Sequence, residues 1–509
     1  MDQYIKKILT ARVYDVSRET SLELAPNLMA ATGNEVLLKR EDSQSVFSFK
    51  CRGAYNRIYH LKQQYPDTLG VVCASAGNHA QGVALSASKL GLVSKIVMPE
   101  TTPRIKVDAV RALGGEAILF GDAYDEAFAH ACELTAETGF PFIHPFNDPD
   151  TIAGQGTVGV EICRQNPGSL DAVFLPIGGG GLAAGVSLLV KYLKPETRII
   201  GVEPVDAASM KASIEAGRPV SLREVGIFAD GVAVKSPGDE TFRICRDTVD
   251  EIVTITVDEM CAAIRDVFDD TRTLMEPAGA LSVAGLKKYS SEKGIRGQRF
   301  IAITTGANVN FDRMRHIAER AEIGENREAL LAVKIPEQPG SFRNFCEMLG
   351  RRSITEFNYR RAASDIAVVF VGVQLSSGYS ERQQIIQQLL DSGYEVEDLT
   401  ENELAKQHVR HMVGGRASSG QMVDSQRERL YRFQFPERPG ALGTFLNSMG
   451  PNWNITLFHY RNHGAAYGRV LIAMQIPASD NKGFQQFLDT LGYRYWCEDD
   501  NPAYQTFLR

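Results

Sequence analysis

A chain of 509 residues is longer than one hydrophobic core usually sustains, so two or more domains are expected. Hydrophobic residues make up 44% and charged residues 23%, ordinary globular usage that excludes a disordered or fibrous chain. The formal net charge of −7 argues against nucleic acid and anionic membrane surfaces as partners and in favour of small molecules. The 8 cysteines are scattered without a C-x-x-C pair, which fits reduced thiols better than disulfides or a zinc site. The first residues, Met-Asp-Gln-Tyr-Ile-Lys-Lys, show no apolar leader, and no stretch approaches ~18 consecutive apolar residues. A cytoplasmic protein with no membrane span is the expectation.

Along the chain, short β-branched runs alternate with helix-length periodic segments from about residue 36 to 310. The runs fall at 36–38, 70–74, 94–98, 116–120, 172–177, 198–202 and 300–304, and they predict an α/β architecture of parallel strands covered by helices. The composition turns polar and charged at 321–328 (AEIGENRE), and a domain boundary is expected there, with a catalytic unit over 1–324.

Beyond that boundary the chain repeats itself. Pro336-Glu337-Gln338-Pro339-Gly340 recurs as Pro436-Glu437-Arg438-Pro439-Gly440, and Ile354-Thr355-Glu356-Phe357-Asn358-Tyr359-Arg360 as Ile455-Thr456-Leu457-Phe458-His459-Tyr460-Arg461, offsets of 100 and 101. Each copy reads as strand, Pro-Gly loop, helix, strand, strand, helix, strand, a small α+β unit of the split βαβ type. The copies are assigned to 325–415 and 425–509, joined by the Gly/Ser segment 413–424.

Four constellations in the first unit carry chemistry. Ser48-Phe49-Lys50 opens a helix after the first strand, where a positive N-terminus and the nearby Arg52 are expected to lower the amine pKa and improve an imine former; taken alone, Lys50 is an ordinary solvated charge. Ser75-Ala76-Gly77-Asn78 follows the strand 70–74 and precedes an alanine-rich helix. It reads either as an N-cap with a tight turn or as a cradle for a substrate carboxylate, because a helix N-terminus attracts anions. The neighbouring His79 receives no role. Gly178-Gly179-Gly180-Gly181-Leu182 lies between the apolar run 172–177 and a helix, open enough for backbone N–H groups to wrap a phosphate. A plain strand-to-helix turn or a relaxed dinucleotide fingerprint with Glu203 about twenty residues on is the competing reading, and the absence of Gly-Lys-Ser/Thr excludes a Walker loop. Thr305-Gly306 ends the strand 300–304, where the hydroxyl either caps the strand or meets a ring nitrogen as a neutral partner. A neutral partner leaves a pyridine ring less electron-withdrawing and favours elimination over transamination.

In order and strand context, Ser48-Phe49-Lys50, Ser75 to Asn78, the tetraglycine loop and Thr305-Gly306 resemble the fold-type II pyridoxal-phosphate enzymes, the tryptophan synthase β-like group. Lys39-Arg40-Glu41-Asp42, Ile105-Lys106-Val107-Asp108-Ala109, Ala153-Gly154-Gln155-Gly156-Thr157 and Glu276-Pro277-Ala278-Gly279-Ala280 are most similar to segments of the biosynthetic threonine ammonia-lyases. The resemblance spans essentially the whole chain. It implies pyridoxal 5'-phosphate held covalently by Lys50, flanked by Phe49, with Asn78 at the cofactor's 3-oxygen, Gly178 to Leu182 at the phosphate and Thr305 at the pyridine nitrogen. It further implies that Ser75, Ala76, Gly77 and Asn78 receive the carboxylate of L-threonine, and of L-serine more weakly, and that 2-oxobutanoate and ammonia are released. The tandem C-terminal unit is similar to the ACT-like regulatory domain of that family, which implies isoleucine as inhibitor, valine opposing it, and a homotetramer. Relatives that bind a divalent cation use a Glu and an Asp; Ser209 stands where the Asp is expected after Glu203, so no metal is assigned.

Three other readings remain open on the residues alone. Serine racemase or serine dehydratase chemistry lacks a reason for the long duplicated tail. A nicotinamide dehydrogenase leaves Lys50 and Ser75 to Asn78 unexplained, and a catalytically inert amino-acid sensor leaves Lys50 unexplained.

Overall fold

The computed structural model describes residues 1–336, 344–345, 348–349, 352, 354–360, 366–411, 426–436, 444–445, 448–449, 453–461 and 467–508. The chain divides into two compact units, Met1–Ala321 and Glu322–Arg509.

The first unit holds two sheets. Strands β1 (Leu22–Leu24), β2 (Glu35–Arg40), β6 (Ala172–Pro176), β7 (Arg198–Pro204), β8 (Glu251–Ile255) and β9 (Arg299–Thr304) form a six-stranded sheet in the order β1-β2-β9-β6-β7-β8. Only β1 runs antiparallel; the other pairings are parallel. Strands β3 (Gly70–Ala74), β4 (Val93–Met98) and β5 (Glu116–Leu119) form a separate parallel sheet. Strands β3 and β6 are apolar and buried along their whole length because both faces are covered. On the larger sheet Leu38, Phe174 and Val202 enter one core, while the alternate residues Val173, Leu175, Ile301 and Ile303 enter the core on the other side. A third core, with Val71, Cys73 and Ile96, underlies the small sheet.

Two strands were absent from the expected set. The antiparallel β1 is three residues long and barely registers as a pattern. The edge strand β8 is buried only in part, so it offers no continuous apolar run.

The second unit repeats one architecture twice. Strands β10 (Glu328–Pro336), β11 (Ile354–Arg360), β12 (Ile366–Gln374) and β13 (Glu395–Asp398) form an antiparallel sheet in the order β11-β12-β10-β13. Strands β14 (Gln426–Pro436), β15 (Asn454–Arg461), β16 (Tyr467–Pro477) and β17 (Arg494–Cys497) form its counterpart in the order β15-β16-β14-β17. Even the irregularity recurs, because register shifts at Ile354/Glu356 in one sheet and at Ile455/Leu457 in the other. The helices Gly378–Asp391 and Asn481–Leu491 bury Ile385 and Leu389 in one copy and Phe484, Phe487 and Leu488 in the other. The Pro-Gly loops at 339–340 and 439–440 and the segment 413–424 lie outside the described residues. Among the described residues no helix is long and apolar enough to cross a membrane.

Candidate active site

In an open parallel sheet, ligands gather beyond the carboxyl ends of the strands. The four motifs follow the carboxyl ends of β2, β3, β6 and β9, and the structure brings three of them and Asn78 of the fourth around one cavity. Its walls include Phe49, Lys50, Asn78, Phe146, Gly178 to Leu182, Gly231, Val232, Glu276, Ala278 and Thr305. Ser75, Ala76 and Gly77 are half-buried and stand beside that wall, not in it. A wider groove at the opposite, amino-terminal edge of β6, β7 and β9 engages its own cations: Lys194 donates to the Pro167 and Gly168 carbonyls, and Arg198 pairs with Glu251.

Lys50 is the first residue of the helix Lys50–Gln64. The segment before it is fastened to the strand β9 terminus: Phe49 N–H donates to the Thr305 carbonyl (3.3 Å), Ala307 N–H donates to the Phe47 carbonyl (2.9 Å), and Ser48 bridges to Gly306. Phe47 accommodates this fastening at φ 54°, a left-handed conformation that is strained for a bulky residue. The Lys50 amine donates to the Pro145 carbonyl (3.3 Å) and lies 5.4 Å from the Phe49 ring centroid. Burial lowers its pKa to about 8, with Glu276 opposing. This corrects the expected cause. Arg52 does not bear on Lys50, because its guanidinium is turned into a buried cluster and matched there by Glu41 and Glu161.

The tetraglycine loop joins β6 to the helix Gly181–Leu193, whose N-terminus no side chain caps. Neighbours press on it from both sides. A Cβ at Gly178 would lie 2.8 Å from Val232 Cα, one at Gly179 2.2 Å from a Phe146 ring carbon, and Gly180 adopts φ 90°. Thr241 Oγ1 holds the loop by donating to the Gly179 carbonyl (2.6 Å). This side-chain-free backbone at a positive helix end fits a phosphate, and the recessed amine beside it fits an aldehyde, so the residues present suit pyridoxal phosphate.

Asn78 begins the helix Asn78–Lys89, with Gly77, not Ser75, at the capping position. Ser75 Oγ instead accepts the Gly77 N–H (3.3 Å), shaping the turn. Thr305 Oγ1 donates to the Ala278 carbonyl (3.1 Å), so to face a ring nitrogen its hydroxyl must rotate. The close approach at this point is fixed by two glycines, since a Cβ on Gly279 would lie 2.0 Å from the Gly306 carbonyl oxygen.

Several further buried groups have structural tasks. His79 is buried, with Nε2 2.9 Å from the Ile143 carbonyl, and burial holds its pKa down at about 3. His144 Nδ1 accepts the N–H groups of Phe146 (3.3 Å) and Asn147 (2.9 Å), locking the loop that overlies Lys50, and burial keeps its pKa at about 4. Both imidazoles are neutral and add no charge to the cavity. Glu203 has its own task, accepting the N–H groups of Met210 (2.9 Å) and Lys211 (2.8 Å) at the start of the helix Ser209–Ala216. Beneath Lys50, four fully buried charges balance. Arg52 grips Glu41 (2.8 Å) and Glu161 (2.6 Å), and Lys39 grips Glu161 (2.7 Å). The string Lys39 to Asp42 was the visible trace of this cluster, but Glu161 joins it only through the fold.

A parallel α/β core with a recessed lysine facing an uncapped glycine loop defines a cofactor-dependent enzyme, and residues 13–306 match the family described as "Pyridoxal-phosphate dependent enzyme". Residues 319–409 and 419–508 match the "C-terminal regulatory domain of Threonine dehydratase". The chain is 55% identical to the biosynthetic L-threonine dehydratase of Burkholderia multivorans over 510 residues, covering 99% of each protein. It is 52% identical to that of Escherichia coli, covering 99% of this chain and 97% of the relative. Among solved structures, the processed form of threonine deaminase isoform 2 from Solanum lycopersicum superposes with a TM-score of 0.61 at 49% identity, covering 63% of this chain and 93% of the other. The chain belongs to the biosynthetic threonine dehydratases, pyridoxal-phosphate-dependent lyases that carry a regulatory domain.

Proposed function

We propose that this chain eliminates the β-hydroxyl of L-threonine, and more weakly of L-serine, as water, and that hydrolysis of the resulting enamine by water releases 2-oxobutanoate and ammonia in the threonine case, as the committed step toward isoleucine. The observation that carries the reading is the juxtaposition of the Lys50 amine, its pKa near 8, with a glycine loop that excludes side chains. Pyridoxal phosphate, when bound, supplies electron withdrawal from the substrate's α-carbon. Lys50 would hold the cofactor, and its amine, whose proton affinity burial has brought toward neutrality, would take the α-proton as a base. With the cofactor bound, Phe49 would flank it, Asn78 would donate to its 3-oxygen, Gly178 to Leu182 would hold its phosphate, and Thr305 would offer a hydroxyl to its ring nitrogen. Ser75, Ala76, Gly77 and Asn78 orient the substrate carboxylate at a helix N-terminus. The loop knit by His144 brings the Pro145 carbonyl to the amine and the Phe146 ring into the cavity wall. Purified chain is expected to show a visible absorption band and to form 2-oxobutanoate on addition of L-threonine; a colourless protein that captures no added pyridoxal phosphate would refute the reading.

Gly179→Ala is expected to weaken cofactor binding. Its Cβ meets the root of the Phe146 ring, an overpacking cost of ~1–3 kcal/mol or roughly a tenfold loss of affinity, read by absorbance titration. Unchanged affinity would mean that Phe146 yields freely.

The same reading assigns residues 1–324 to catalysis and 325–415 and 425–509 to two effector-binding repeats, in a cytoplasmic homotetramer inhibited by isoleucine and relieved by valine. Two regulatory folds of one architecture support it, because an effector shifts an equilibrium only by binding two states unequally. A chain lacking the residues after about 328 is expected to retain turnover and lose its response to isoleucine; a truncated enzyme that is still inhibited would relocate the sensor.

A further inference from the structure

The cavity contains a second ionisable group that the proposed reaction leaves without a part. Of the residues lining it, Lys50 and Glu276 are the ones that titrate. Glu276 is 4% exposed and stands at the N-cap of the helix Pro277–Lys293. Its Oε1 accepts Asn78 Nδ2 at 2.6 Å, while Asn78 Oδ1 accepts Asn308 Nδ2 at 2.6 Å, and Asn308 is itself tied to the Val46 carbonyl at 2.9 Å. The Asn78 amide is therefore held from both ends in one orientation. There is little slack, since a Cβ on Gly306 would lie 2.5 Å from Glu276 Oε1.

The charged groups that face Glu276 come from four elements. Asp230 comes from the turn Asp230–Val232, Lys106 from the helix Arg104–Ala112, Arg313 from the turn Phe311–Arg313, and Lys50 from its own helix. The positive charges of Lys106 and Arg313 are directed at Asp230, at 2.5 Å and 3.9 Å. Glu276 itself is bound by a neutral amide. Burial and the Asp230 charge push its pKa up to about 7, against the pull of Lys106, Asn78 and Arg313. Its proton affinity thus lies beside that of Lys50, in the same cavity.

We propose that Glu276 is a positioning residue of this elimination: its carboxyl fixes the Asn78 amide, and its charge governs how tightly the Lys50 amine holds a proton. The inference rests on the reading of the site given above. When Glu276 is ionised, the ammonium formed on Lys50 by uptake of the α-proton is stabilised. When Glu276 takes up a proton, Lys50 releases its own more readily and returns to the free amine. Uptake of the α-proton breaks a C–H bond of the substrate and forms an N–H bond on Lys50; its later release breaks that N–H bond and passes the proton to water, while protonation of Glu276 forms an O–H bond.

The test uses the full chain stripped of cofactor, in three forms: the natural sequence, Glu276→Gln and Glu276→Asp. The rate of covalent capture of added pyridoxal 5'-phosphate is followed by its visible band between about pH 6 and 10, the range in which the amine titrates. Because an anionic Glu276 raises the Lys50 pKa, Glu276→Gln is expected to move the capture midpoint below the natural value near 8 and to quicken capture at neutral pH, while its amide oxygen still holds Asn78. Glu276→Asp is expected to keep the natural midpoint. In turnover the Gln variant is expected to lose roughly 100-fold in kcat with little change in KM. An unmoved midpoint in Glu276→Gln overturns the proposal. Should the Gln variant fail to fold, a midpoint in Glu276→Asp displaced below the natural one overturns it equally. A natural chain that captures no cofactor at any pH would instead overturn the reading of the site itself.

Discussion

Replacing Lys50 with alanine is expected to abolish formation of 2-oxobutanoate from L-threonine, with a loss of roughly 10³-fold or more, since removal of a positioned acid–base group alone costs ~10²–10⁴-fold. Among the residues lining the cavity Lys50 carries the sole amine, so none of the other wall residues can form the covalent link or inherit the proton. The variant is expected to lose the visible band and remain folded, because truncating an amine that burial disfavours removes only a long hydrogen bond, 3.3 Å to the Pro145 carbonyl. The natural chain adds a pH signature. With its pKa lowered to about 8, the amine is neutral in about one molecule in ten at pH 7 and in half at pH 8, so cofactor capture is expected to rise roughly fivefold across that unit. An alanine variant that retained substantial activity would place the base elsewhere.

Replacing Arg52 with methionine is expected to destabilise the first unit by ~3–5 kcal/mol, because it leaves two fully buried carboxylates facing one lysine. Arg52 makes charge-assisted bonds to Glu41 and Glu161 and a further one to Thr157 Oγ1 at 3.1 Å, and methionine restores none of them. In the natural chain burial disfavours ionisation of Glu161, but Arg52 and Lys39 outweigh it and hold the carboxyl below its ordinary range. A depressed folded-state pKa contributes stability above the unfolded value and loses it as pH falls through the folded one. In the variant this contribution shrinks, since two buried carboxylates are left to share one cation, Lys39. The gap between variant and natural chain is therefore expected to widen as pH rises from about 4 to 7, measured by denaturant unfolding. A gap below ~1 kcal/mol, or one constant with pH, would show that solvent reaches the cluster.

Much was legible in the linear chain because the relevant signals are local. The β-branched runs at 70–74 and 172–177 become strands of parallel sheets because continuous apolar residues can be buried on both faces only there. The glycines at 178–181 announce a close approach, and the repeat at offsets of 100 and 101 announces two copies of one fold. Lys50, Asn78, the glycine loop and Thr305 were singled out from such local strings, and the fold gathers them at strand ends. Ser75 illustrates the limit of local reasoning: a serine before a helix suggests a cap, but the chain path makes Gly77 the cap and leaves Ser75 to shape the turn.

The sequence by itself determined the class of architecture, the duplicated second unit and the residue types that could meet a phosphate and an aldehyde, because periodicity, glycine content and repetition are properties of neighbouring residues. Tertiary structure alone decided what each group's charge does. Arg52, two residues from Lys50, is electrically matched by Glu161 across 109 positions, and Glu276, far along the chain, shares the cavity with Lys50 and holds Asn78. Proton affinities depend on burial and on charges brought close in space, and neither quantity exists until the chain has folded.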